Sequence, residues 1–126
     1  MNSSQYVPGV CNIGKAEIAQ RQKMGWIGLI FTGALWAILF ATRVAPVWRL
    51  ALAVPAAMSA TGFIQSFMHF CAGFGMMGVF NFGSELRQTE TVEQKEFRAK
   101  DRRKAMIIFA YSILAGLVVA YLAYLL

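Results

Sequence analysis

Residues 50–84 read LALAVPAAMSATGFIQSFMHFCAGFGMMGVFNFGS, 35 consecutive positions without an Asp, Glu, Lys or Arg. Crossing the hydrocarbon core of a bilayer takes ~20 helical residues. At ~1.5 Å per residue a single helix of this length would measure about 52 Å, far more than one crossing needs. The stretch therefore reads as one span plus a surplus. Gly73, Gly75, Gly78 and Gly83 place the surplus in the second half, because each weakens a helix. Outward from this stretch lie two more uncharged runs, 24–42 and 105–126, each the length of one crossing. The pattern predicts an all-α integral membrane protein with three transmembrane helices at 24–42, 47–68 and 105–126. A Gly/Phe-rich interfacial or re-entrant elbow is expected at 69–83, after the second helix.

The chain of 126 residues is 58% hydrophobic, and its polar stretches are too short for a separate water-soluble core. It reads as a single membrane domain, with an N-terminal lead and amphipathic segment at 1–23 and a cytoplasmic linker and helix at 84–104. The net charge is +6, and the basic residues flank the spans, so membrane lipid is the expected partner. No recognition-helix or zinc-finger pattern points to nucleic acid. The opening MNSSQYVPGV has neither a basic n-region nor an apolar h-region, so no secretory signal is expected. Two cysteines, Cys11 and Cys71, are too few for a disulfide framework.

Local signals place the elements. Residues 1–12 carry Pro8 and Gly9 and read as irregular. Gly14 opens a helix, with Glu17 near its positive end. Residues 15–23 are amphipathic: Ile18 and Met24 are expected to face lipid, and Arg21, Gln22 and Lys23 to face water. Trp26 suits the interface. Gly33, Ala37 and Ala41 recur every four residues and make a narrow face for helix contact. Pro46 suits the first turn of the second helix, and Pro55 within that helix predicts a kink. Thr91 and Gln94 have capping-box spacing, so a helix is expected from about Val92 into the third span, with Glu96 and Lys100 paired at i,i+4. Ser112, Gly116 and Ala120 give that span its own small-residue face.

The positive-inside rule puts the N-terminus and residues 84–104 in the cytoplasm and the C-terminus outside. The helical hairpin should then bring Cys11, His69 and Cys71 to one face as a possible thiol or metal cluster. A thiol role requires nearby cations, for which Lys15 and Arg21 are candidates beside Cys11. Three ligands fall one short of a structural zinc site. The ordinary alternative makes His69 a backbone-bonding polar residue and the cysteines small apolar ones. Met68, Met76 and Met77 read as packing. Gln65, Ser66 and Asn81 would hold a quinone or lipid head group, or bond another helix. Lys95, Arg98, Lys100, Arg102, Arg103 and Lys104 put six cations in ten residues beside a span, suited to anionic lipid or an acidic partner subunit. No acid lies within an apolar run, which removes the usual mark of an ion or proton pathway.

One group of residues has a familiar order. Asn12-Ile13-Gly14 is followed by Glu17 and Arg21, then Gly25, Gly62, Phe70-Cys71, Gly78 and Asn81. Over about residues 11–82 this resembles the YgaP-like inner-membrane transmembrane domain family, a two-helix hairpin. Here the spacing from Asn12 to Gly25 is about one residue longer. Ala72-Gly73-Phe74 replaces the family's proline and tyrosine, and a third helix is added. The resemblance implies a hairpin fold, a bacterial inner (plasma) membrane location, self-association and a loose link to sulfur chemistry. Together these readings predict a small non-catalytic protein without cofactor, acting as an accessory or assembly subunit with other membrane proteins or with itself. The alternatives are a cytoplasmic-face thiol redox or sulfur-relay protein and a lipid- or quinone-binding module.

Overall fold

The computed structural model describes residues 6–126, so the first five residues of the expected lead lie outside it. The chain is mostly helical, and three helices are long and apolar enough to cross a membrane. Helix α1 spans Lys15–Ala41. A 3₁₀ segment at Pro46–Leu52 leads into α2, Ala53–Met68. A short helix α3 occupies Ala72–Met77, and the last helix α4 spans Lys95–Leu125. Two-residue strands β1 (Val79–Phe80) and β2 (Glu90–Thr91) pair antiparallel, Val79 opposite Thr91. Neither strand is expected from the all-α sequence pattern.

Helix α2 is the middle of the bundle, with its main interfaces against α1 and α4. Small residues set both. A Cβ on Gly62 would lie 2.6 Å from the Gly25 nitrogen and 2.7 Å from the Arg21 carbonyl oxygen. Without one, the backbones of α1 and α2 come into contact, and the Ser59 hydroxyl donates to the Gly25 carbonyl at 2.7 Å. On the other side, a Cβ on Gly116 would meet the Ala53 carbonyl oxygen at 2.5 Å. Ser112, Gly116 and Ala120 are all buried along this seam. Their expected face is therefore an internal interface.

The Gly33, Ala37 and Ala41 face has no such role within the chain. All three are exposed, and nothing lies within 4 Å of a Cβ built on Gly33. Gly25, Gly28 and Thr32 take the inward positions instead, one register round the helix. Both stripes have small residues, so spacing did not choose between them. Ser59 and Gly62 on α2 did.

Three other expectations change. Pro55 falls in the first turn of α2, just after the 3₁₀ segment, where a missing N–H removes no helical bond. The expected kink is thus a change of helix type. The Thr91–Gln94 capping box does not form, because Thr91 is committed to β2 and Gln94 caps α4 by backbone alone. Glu96 and Lys100 are not paired: among the described residues the ion pair is Glu17–Arg21.

Residues 69–83 bend the chain back. His69 ends α2 in the left-handed region at φ 55°, and Gly78 ends α3 likewise at φ 73°. Gln65 bridges the bend: its carbonyl accepts from Phe70 N–H at 3.1 Å, and its side-chain oxygen accepts from Ala72 N–H at 2.7 Å. Phe70, Ala72, Ala105 and Ile108 form one buried cluster between α3 and α4. Ile13, Cys71 and Phe74 form the second, with Ile18 packed against it. Ile18 therefore faces protein here, contrary to its expected lipid position.

Candidate functional site

The densest buried polar group lies where the N-terminal lead, the start of α1 and the bend after α2 meet. Asn12 organises it. Its side-chain oxygen accepts from the Cys71 N–H at 2.7 Å, and its amide donates to the Cys71 carbonyl at 3.1 Å. Its own N–H donates to the His69 carbonyl at 3.2 Å, and its carbonyl accepts from Asn81 N–H at 2.9 Å. Asn12 thus acts as a one-residue strand for a segment that has no regular partner, and it is fully buried. A parallel bridge between Ile13 and Asn81 continues the pairing.

Beside it stands a buried ion pair. Arg21 Nη1 donates to Glu17 Oε1 at 2.9 Å across one helical turn, with side chains 12% and 2% exposed. The second carboxylate oxygen accepts from Asn81 Nδ2 at 3.2 Å and from the Arg87 N–H at 3.1 Å. A buried pair of this kind holds only when its remaining bonding capacity is met. Asn81 meets it while also accepting from Gly83 N–H at 2.8 Å, which fixes the loop that follows β1.

Arg21 has a further partner. Its Nη2 donates to the Cys71 sulfur at 2.9 Å, and its guanidinium lies 5.5 Å from the Phe74 ring centre. The expectation that Arg21 faces water is corrected: docking of the lead and the bend turns that side of α1 inward. The expected pairing of Arg21 with Cys11 is corrected too, since its partner sulfur is Cys71. Chemically, the site presents a sulfur beside a fixed cation, an arrangement suited to holding a negatively charged sulfur species.

Cys11, His69 and Cys71 converge only through backbone. Residue 12 bonds the main chain at both 69 and 71, so the two cysteine segments lie side by side at one end of the bundle. The His69 side chain is exposed, and among the described residues no group of His, Cys, Asp or Glu is arranged to hold a metal. The three-ligand cluster is therefore not formed. His69 is bonded through its main-chain carbonyl, whereas the ordinary alternative expected its polar side chain to bond the backbone. Both cysteines are free. Burial pushes the Cys11 thiol above its ordinary value.

Gln65 and Asn81, considered for a head group, are spent on the chain's own backbone. The six cations of 95–104 separate. Arg98 Nη1 donates to the Val92 carbonyl at 3.1 Å, while Lys95, Lys100, Arg102 and Arg103 are exposed and Lys104 half-buried.

Two contributors were missed from the sequence. The Tyr6 hydroxyl donates to Asp101 Oδ2, and the Gly9 N–H donates to Asp101 Oδ1 at 2.7 Å. Tyr6 also stacks on Phe80 with ring centres 4.8 Å apart. Burial first and the Asp101 carboxylate second hold the Tyr6 hydroxyl well above the usual phenol value. These contacts anchor the lead to α4. A lone Tyr among polar residues gave no signal of them.

Comparison with protein-family models, curated proteins and solved structures finds no match. The hairpin resemblance accordingly rests on its motif residues alone. Within the fold, Asn12, Glu17, Arg21, Cys71 and Asn81 form the polar cluster, and Gly25 meets Gly62.

Proposed function

We propose that the protein is a non-catalytic assembly subunit that pairs with other membrane helices or with a second copy of itself. The carrying observation is the outer face of α1. Only 6% of its most apolar stretch is buried within the chain. That open side presents Gly33, Ala37 and Ala41, the spacing that lets a second helix approach closely. In this reading the bundle lies in the bacterial inner membrane with the N-terminus and residues 84–104 in the cytoplasm, and residues 69–83 sit at the interface. Gly33→Leu with Ala37→Leu tests the reading, because nothing lies within 4 Å of a Cβ at Gly33 and Ala37 is exposed. In mild detergent the wild type should run as an oligomer or complex and the variant near the 14.0 kDa chain plus its micelle. An unchanged mass counts against assembly through this face.

A second reading is favoured by the Arg21–Cys71 contact alone. Cys71 would carry sulfane sulfur, taken from a small persulfide RSSH to give RSH and a Cys71 persulfide whose anion Arg21 holds. Mass spectrometry of protein alkylated in native membranes decides it. A 32 Da addition on Cys71, calculated as one extra sulfur (~32 Da), lost in Arg21→Gln supports the relay. Unmodified Cys71 after incubation with persulfide removes it.

A further inference from the structure

The turn at Pro8–Gly9 lies against α4 and forms a cleft of about 340 Å³ with Lys100, Arg103, Lys104 and Ile107. Positions 100, 103, 104 and 107 share one helix face by their i,i+3,i+4 spacing. The contact is close: a Cβ on Gly9 would lie 3.2 Å from Lys100 Cβ. Asp101, the acid between these cations in sequence, is buried and turned to Tyr6 and the Gly9 N–H. Its charge is committed to holding the turn. Among the described residues the ion pair is Glu17–Arg21, so the three cations of the cleft have no carboxylate partner.

We propose that this cleft binds the phosphate group of an anionic phospholipid. Three cations lining one cleft suit a phosphate, and Arg103 can meet two of its oxygens at once. The depth of the site selects a lipid over a free ion. The uncharged run of α4 begins at Ala105, and Met106 and Ile107 are exposed just below the cations. A head group at Lys100 and Arg103 would therefore leave its acyl chains along apolar helix surface. Of the remaining cations of the segment, Arg98 is bonded to the Val92 carbonyl, and Arg102 lines an adjoining groove that shares Arg103 and Ile107 with this cleft. The proposal does not depend on assembly through α1.

Native mass spectrometry of the delipidated full chain, titrated with phosphatidylglycerol or phosphatidylcholine, tests it. The wild type should retain one phosphatidylglycerol in preference to phosphatidylcholine. Each charge removed should weaken this by roughly fivefold, so Lys100→Gln, Arg103→Gln and Lys104→Gln together lose on the order of 100-fold. Arg103→Gln alone should lose roughly fivefold, with an unchanged melting temperature. A control with Lys23→Gln and Lys95→Gln, two exposed cations that do not line the cleft, should keep wild-type selectivity. Equal retention of both lipids, wild-type binding by the triple variant, or equal losses in the control would overturn the site. Displacement of the lipid by millimolar inorganic phosphate would assign the cleft to the free ion. An acidic protein whose capture the triple variant loses, with lipid retention intact, would assign it to that protein.

Discussion

Asn12 replaces a strand with a side chain. It meets both backbone groups of Cys71 and ties the lead to the bend after α2. Asn12→Ala should leave a buried N–H and C=O unpaired and cost about 2–3 kcal/mol, read from unfolding in mixed detergent. Glu17 and Arg21 are coupled more strongly. Removing either alone leaves the other charge buried, so Glu17→Gln or Arg21→Gln should each cost about 3 kcal/mol. The double change should cost clearly less than their sum, because neither charge is then stranded. Cys11 supplies a chemical prediction. Its thiol sits above its ordinary value through burial. At pH 8 it should therefore react with iodoacetamide more slowly than an unfolded control, and the gap should close as pH rises through its folded pKa. Equal rates at pH 8 would contradict the burial. These residues were legible in part. The motif order named Asn12, Glu17, Arg21, Cys71 and Asn81, but not which atoms meet, because their separations reach 69 positions, from Asn12 to Asn81.

The expected small-residue stripes of α1 and α4 part company: Ser112, Gly116 and Ala120 are used inside the chain, and Gly33, Ala37 and Ala41 are not. Gly116 packs on Ala53 and Ala57, whereas Gly33 meets nothing within 4 Å. Thermal unfolding should separate tight from open glycines. Gly62→Ala forces α1 and α2 apart and should destabilise by roughly 1–3 kcal/mol. Gly33→Ala adds a methyl to open space and should be neutral or stabilise by up to ~1 kcal/mol through helix propensity. Similar losses at both sites would mean the α1 face is already packed in the purified state. Helix existence was plain from length and apolarity. Helix starts were less so: the 91–94 capping signal competed with strand pairing of Thr91 to Val79 and lost. Pairing is a long-range event that a four-residue window does not contain.

In the proposed three-span arrangement the two ends of the described chain lie on opposite sides of the bilayer. Cys11 and Cys71, at the start of α1 and just past α2, come to the same end of the hairpin. Single cysteines introduced at Gln22 and Leu126 should accordingly label from opposite sides with an impermeant maleimide in sealed vesicles. Labelling of both from one side would remove one span. The basic segment shows how the folded molecule redistributes a feature that is uniform in sequence. Six cations in ten residues become a backbone-bonded Arg98, a three-cation cleft under Pro8–Gly9 and the remaining exposed pair, Lys95 and Arg102. The N-terminal turn makes the difference, and Tyr6 and Asp101 place it there.

That three helices are long and apolar enough to cross a membrane follows from the amino-acid order, because uncharged runs of this length suit a medium in which a charge or a bare backbone group is costly. Which faces meet follows from the folded chain alone. Gly25 and Gly33 both belong to small-residue stripes of α1, and Arg21 beside Lys23 looks equally solvated. A neighbouring helix or docked strand decides between them through contacts of a few ångströms that sequence spacing does not encode.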